Sequence, residues 1–269
     1  MRLCAGLAAL MLATAQMAVA GSGLIRLTDR DDLFGWEAVG RIEIGQDGYC
    51  TGVLIAPDLV LTAAHCVYDR AGQPIAPGRF LFRAGLRDGQ AIAERTVARI
   101  AAHRGYDPRG GYTAQAIRHD AALLELAQPI PASLAAPFVL HEGVQAGQRV
   151  SVVSYGKGRD EALSWQRDCG LLGRSEGLLA FDCNITFGSS GAPVFTRDGG
   201  RARILTLVSG GNMNARNRVG WGMELAPLVA RLKRDLRTQP AAVAAPGTIR
   251  RVKVGQGGGT ALGAKFAKP

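Results

Sequence analysis

Short apolar stretches separated by turns dominate the chain from Val39 onward. Val39–Ile44 carries apolar residues at alternate positions, the period of a strand with one buried face. Tyr49–Ile55 and Leu59–Thr62 read as a strand pair joined by Ala56-Pro57-Asp58, where proline presets φ at the second turn position. Arg79–Ala84, Ala93–Ala101 and Asp120–Leu126 are further strands. The stretch 127–140, stiffened by Pro129, Pro131 and Pro137, divides this half from a second one of the same style. There the strands are Arg149–Tyr155, Gly177–Cys183, Ala192–Thr196, Ile204–Ser209 and Gly220–Leu225. Pro227–Leu236 breaks the pattern. Leu228, Val229, Leu232 and Leu236 recur at helical spacing and Pro227 suits a first turn, so a helix closes the second half.

Composition agrees with that pattern. The 269 residues are 47% hydrophobic and 20% charged, enough apolar surface for a core. With 36 glycines and short apolar runs, an all-β, turn-rich fold is expected over a helical bundle.

The two ends stand apart from this pattern. Arg2, the apolar run Leu3–Ala15 and the small-x-small site Ala18-Val19-Ala20 form an export signal (1–20), with the mature chain expected to begin at Gly21. An uncleaved anchor is the competing reading, but the apolar run is short for a bilayer. The segment 21–38 is polar and irregular, an N-terminal extension or pro-segment. The tail 239–269 is rich in Gly, Ala and Lys and is expected to be disordered. It also holds five of the net +10 charges; Arg2 holds one and residues 21–238 only four. A nucleic-acid role would rest on the tail alone, so none is expected, although the tail could touch anionic envelope surfaces.

Export makes cysteine arithmetic informative. With Cys4 removed, Cys50, Cys66, Cys169 and Cys183 remain, an even count that reads as two disulfides. Three pairings are possible; Cys50–Cys66 and Cys169–Cys183 are the natural ones. A zinc site competes, but no C-x-x-C or matching His spacing supports it.

Three segments carry chemistry: Leu61-Thr62-Ala63-Ala64-His65-Cys66, His119-Asp120-Ala121-Ala122-Leu123-Leu124-Glu125-Leu126 and Phe187-Gly188-Ser189-Ser190-Gly191-Ala192-Pro193-Val194. A serine hydroxyl needs a base to become a nucleophile, usually an imidazole. That imidazole needs a carboxylate to fix its tautomer and stabilise the imidazolium. The tetrahedral intermediate then needs preorganised donors. All three residue types occur, in the order His, Asp, Ser. His103, His119 and His141 lack such settings and read as structural or exposed.

On these motifs the chain resembles the trypsin/chymotrypsin family over about residues 39–236. T-A-A-H-C is complete around His65, D-[apolar]-A-L-L is matched around Asp120, and Gly188–Pro193 resembles G-D-S-G-G-P with Ser189 for Asp and Ala192 for Gly. The resemblance implies two antiparallel six-stranded β-barrels (about 39–135 and 136–238) with a C-terminal helix and the active site between them. It implies a secreted or periplasmic serine endopeptidase with Ser190 as nucleophile, His65 as base and acid, and Asp120 orienting it. Gly188 and Ser190 would supply the oxyanion hole, and Cys66 would pair with Cys50. Ser209, Gly210 and Gly211 resemble the substrate-binding strand, with Ser209 near Asp120.

The departures are informative. Animal members free a new terminus that pairs with the Asp before the nucleophile; Ser189 here, and the lack of an Ile-Val-Gly-Gly-type motif before Val39, imply no such activation. The pattern is closer to the bacterial glutamyl-endopeptidase-like branch. Asn184 falls where trypsins place the Asp that selects Lys or Arg, so basic selectivity is not expected. Ile185 and Val208 argue against acid selectivity, which leaves uncharged side chains.

The nucleophile elbow of α/β-hydrolases would need a His after Ser190, and none follows. A second class of function is a catalytically inactive relative that binds peptides or partners; a third makes the basic tail the working part. The reading adopted is a monomeric endopeptidase acting on peptide or protein substrates, without cofactor, metal or stable membrane span.

Overall fold

The computed structural model describes residues 23–240 except 47, 144–146, 198–199 and 213–217. The signal segment and the tail beyond Pro240 therefore lie outside the described residues. Among the described residues fourteen strands and two α-helices follow in order: β1 (Leu24–Arg26), β2 (Val39–Ile44), β3 (Tyr49–Ala56), β4 (Leu59–Thr62), β5 (Phe80–Ala84), β6 (Ala93–Ala102), α1 (Ala114–His119), β7 (Ala122–Leu126), β8 (Arg149–Gly156), β9 (Arg159–Ser175), β10 (Leu178–Phe181), β11 (Pro193–Thr196), β12 (Arg203–Leu207), β13 (Gly210–Asn212), β14 (Val219–Met223) and α2 (Ala226–Thr238).

The first half is a closed six-stranded barrel, β2-β3-β4-β7-β6-β5, antiparallel throughout. Alternation fills it: Val39, Ile42, Val53, Leu61, Phe82 and Leu123 are fully buried. The strands approach closely at Gly52, where an added Cβ would lie 2.6 Å from Ile42 Cδ1 and 2.7 Å from Val60 Cγ1. The proline turn between β3 and β4 is stapled from outside, since Leu126 N donates to Asp58 O and Ile130 N to Pro57 O.

The second half differs from a six-stranded barrel. It is an eight-stranded sheet in the order β12-β11-β8-β9-β10-β14-β13, with β1 added on β9. The 17-residue β9 is long enough to pair with β8, β10 and β1. The ends of the sheet, β12 and β13, do not pair, so one edge of the short β13 stays open among the described residues.

Residues 24–38 are woven into this fold. Leu27, Leu33 and Trp36 are buried. Trp36 stacks within an aromatic cluster of Phe138, Trp165 and Phe195, at centroid distances of 5.0–5.9 Å. The closing helix is present, longer than the expected Pro227–Leu236. Pro227 sits in its first turn, and Val229, Leu232 and Leu236 bury one face. Each such side chain contributes about 1.5–3 kcal/mol by leaving water.

Candidate active site

His65 lies in a 3-10 turn, Ala64–Val67, that follows β4 directly. Ala63 and Ala64 are buried, and Cys66 is tied to Cys50 on β3 by a disulfide. The imidazole is thereby held at the barrel's rim and remains partly exposed. Asp120 was expected at the start of a strand. It instead caps the C-terminal end of α1, two residues before β7, and is 2% exposed.

The Asp120 carboxylate accepts three hydrogen bonds. Its Oδ1 takes the His65 backbone N–H at 2.8 Å, and Oδ2 takes His65 Nδ1–H at 2.8 Å and the Ser209 hydroxyl at 2.5 Å. Burial works against a charged imidazole, but the charge of Asp120 and its hydrogen bond outweigh that and hold the His65 pKa above its ordinary value. Bonding at Nδ1 fixes the tautomer that leaves Nε2 as the free basic nitrogen.

The turn from Thr186 to Ala192 carries Ser190. Ser189 N donates to Thr186 O, Ala192 N to Ser189 O, and Gly191 N to Val208 O. Gly191 has φ of 73°, and a Cβ there would lie 2.2 Å from Thr62 Oγ1, so only glycine fits. Among the described residues the N–H groups of Gly188 and Ser190 donate to no protein acceptor, unlike those of Ser189 and Gly191. The Ser190 hydroxyl likewise makes no hydrogen bond among the described residues, so its bond to His65 is not formed in this structure. Both side chains line one cleft of about 390 Å³. Nucleophile–base contacts are commonly longer without substrate and tighten when it binds.

Sequence reasoning missed Thr51. Its N–H donates to Ser190 O at 2.9 Å, its hydroxyl donates to Gly188 O at 2.8 Å, and that hydroxyl accepts from Tyr155 N–H at 3.1 Å. Its carbonyl accepts the Thr62 hydroxyl at 2.9 Å. One residue of the barrel thus clamps the serine turn of the other half. The available signal was a threonine, a residue with both donor and acceptor capacity, next to Cys50.

Tyr106, Pro108, Tyr112, Ile117, Ile185, Phe187 and Val208 also line the cleft. Tyr112 packs on Gly210, where a Cβ would lie 2.7 Å from its ring. Gly210 and Gly211, expected as a substrate strand, sit on β13, whose open edge can take an extended peptide. Asn184 lines a neighbouring pocket of about 170 Å³ with Cys183, Ile185, Thr186, Asn212 and Arg218. No carboxylate is among these residues.

The four cysteines pair as expected, Cys50–Cys66 and Cys169–Cys183. Sulfurs of Cys50 and Cys66 lie beside His65, but they are consumed by the disulfide and offer no thiolate to zinc. Among the described residues no helix is long and apolar enough to cross a membrane.

The family model of the trypsin-like peptidase domain matches residues 50–202. This chain therefore belongs to the trypsin-like peptidases. It is 32% identical over 128 residues to serine protease 56 of Homo sapiens, covering 45% of this chain and 19% of that protein. It is 24% identical over 155 residues to a glutamyl endopeptidase of Bacillus licheniformis, covering 57% of this chain and 47% of that protein. The chain thus spans less than half the length of these relatives. Among solved structures, a Glu endopeptidase in complex with MPD superposes with a TM-score of 0.67 at 18% identity, over 81% of this chain and 97% of that one. The thermostable serine protease AL20 superposes with a TM-score of 0.62 at 18% identity, over 76% and 98%. These likenesses speak to the fold.

Proposed function

We propose that this protein is an exported serine endopeptidase that cleaves peptide bonds through an acyl-enzyme on Ser190. The observation that carries the reading is the Asp120 carboxylate, which accepts from the His65 backbone N–H and from its ring Nδ1–H while Ser190 lines the same cleft. In the reaction, His65 Nε2 takes the Ser190 proton as the hydroxyl attacks the carbonyl carbon. Asp120 stabilises the imidazolium, which then gives its proton to the leaving amine. Water repeats the sequence to release the acid. Two N–H groups without protein acceptors, on Gly188 and Ser190, support their role as donors to the oxyanion. The open edge of β13 supports an extended peptide substrate held by Gly210 and Gly211.

The proposed domain covers 39–238, with the signal 1–20 ahead of it and the basic tail 239–269 behind. Burial of Leu27, Leu33 and Trp36 supports keeping residues 24–38 with the mature domain rather than as a removable pro-segment. Export to the periplasm or medium is supported by the two disulfides. A monomer without cofactor fits this reading.

The second reading, an inactive relative that binds peptides, is favoured by one observation: the open Ser190–His65 contact. A fluorophosphonate probe separates the two. Labelling of the exported protein that disappears in Ser190→Ala supports the peptidase, and a folded but unlabelled wild type supports the binding module.

A further inference from the structure

Arg159 opens β9 and turns its guanidinium under the segment that carries Ser190. Nη2 donates to the carbonyl of Asn184 at 3.2 Å, and Nη1 donates to Ser154 Oγ at 3.3 Å. Ser154 Oγ lies 3.1 Å from Ser189 Oγ, and both hydroxyls are buried. Ser189 Oγ also accepts the N–H of Thr186 at 3.3 Å. One side chain thus reaches the segment that carries Ser190 at two points, Asn184 directly and Ser189 through one hydroxyl.

The room for this group is built into the chain. A Cβ on Gly156 would lie 2.6 Å from Arg159 Cζ and 2.7 Å from Thr186 Cγ2. Yet the charge forms no ion pair among the described residues, whereas the half-buried Arg41, Arg83 and Arg99 all pair with carboxylates. Burial pushes the guanidinium below its usual range, partly offset by Tyr49. A half-hidden cation without a counter-ion is costly, and perturbed charged groups of this kind cluster at functional sites.

We propose that Arg159 is a positioning residue: it locks the 184–190 turn from beneath and sets positive potential under the site where the attacked carbonyl oxygen becomes negative. This rests on the peptidase reading above. The role is exerted through the backbone donors of Gly188 and Ser190, so it affects how fast Ser190 reacts rather than how many molecules can react.

The test is the kinetics of fluorophosphonate labelling of the full exported protein, following rate constant and final labelled fraction separately. Arg159→Met is expected to slow labelling by about tenfold or more, a part of what losing a direct oxyanion donor costs, while labelling still runs to completion. Arg159→Lys, which keeps the charge but not the fork, is expected to recover part of that rate. A wild-type rate in Arg159→Met overturns the proposal, as does a loss confined to the final fraction, which marks a merely structural role. Should Arg159→Met fail to fold, Ser154→Ala and Arg159→Lys carry the same test: slowed labelling at full extent supports it and wild-type rates overturn it. An unlabelled wild type would remove the peptidase reading and this role together; a labelled wild type with an unslowed Arg159→Met removes this role alone.

Discussion

The Ser209 hydroxyl donates to Oδ2 of Asp120 at 2.5 Å, the oxygen that also accepts from His65 Nδ1. Ser209 comes from the eight-stranded half, beside β13, while Asp120 and His65 belong to the first barrel. The carboxylate is therefore fixed from both halves at once. A buried carboxylate with three donors is held in one orientation, which is what the imidazole requires of it.

Asp120→Asn tests that orientation. The amide retains the shape but presents a donor to one of its partners, so His65 is driven toward the wrong tautomer. We expect kcat to fall by about 10⁴, as an order of magnitude. In the wild type the raised His65 pKa places the acid limb of kcat/KM above about pH 6.5, because the base works only when neutral. The limb in residual Asp120→Asn activity is expected to move down. The sign for stability is opposite: the pair contributes below about pH 6.5 and is lost as pH rises through the folded value. Steady-state rates across pH check this, and an unmoved limb contradicts it.

Thr51→Val keeps shape and removes the clamp hydroxyl. The Gly188 carbonyl and the Tyr155 N–H both lose a partner. At about 1–3 kcal/mol per stranded buried group, a loss of about 2–6 kcal/mol is expected. For a domain of this size that lowers Tm by roughly 4–24 °C. Serine-turn reactivity should fall with it. Differential scanning calorimetry is the check, and a melt within a degree of wild type would contradict the clamp.

Asn184→Asp tests the neighbouring pocket. Asn184 and Arg218 share its wall with no carboxylate among the lining residues. Peptides with Lys or Arg before the scissile bond are expected to be poor substrates of the wild type. The new carboxylate should raise their relative kcat/KM by about tenfold, one charge pair in a partly desolvated pocket. A peptide-library profile unchanged by the substitution would show that this pocket does not hold the side chain.

His103 gives a separate prediction at acid pH. It is buried and stacks on His119 at a centroid distance of 4.6 Å. Burial first, then the positive charges of His119 and Arg231, lower its pKa, with Asp235 opposing. A lowered value means stability is present above about pH 6.5 and is lost as pH falls through the folded value. His103→Gln should flatten the acid limb of a Tm-against-pH curve. An equally steep limb in that variant would assign the acid sensitivity elsewhere.

Much of the site was legible because its residues sit in local settings that mean something on their own. His65 is flanked by small buried residues and a bridged cysteine, and Ser190 by glycines that only a shaped turn needs. The barrel strands were legible from alternation, as in Val39–Ile44. What stayed hidden depends on distant parts of the chain. β9 was missed because Arg159, Asp160, Glu161, Arg167, Asp168 and Arg174 interrupt its apolar period; in the fold Glu161, Arg167, Asp168 and Arg174 are exposed, while Arg159 and Asp160 are half-buried at its start. β1 has only three residues, and its pairing with β9 has no local signature. Thr51 and Arg159 act through hydroxyl and carbonyl groups more than a hundred positions apart or across a hairpin, which no spacing rule reveals. The six-residue α1, which sets Asp120, lay in a stretch without apolar periodicity.

The most direct measurement of the central claim is intact and peptide mass analysis after mixing the exported protein with an activated peptide ester and quenching in acid. The account predicts one acyl adduct, on the peptide that contains Ser190, absent in Ser190→Ala and strongly reduced in His65→Ala. Turnover that persists in Ser190→Ala, or an adduct carried by another residue, would contradict it.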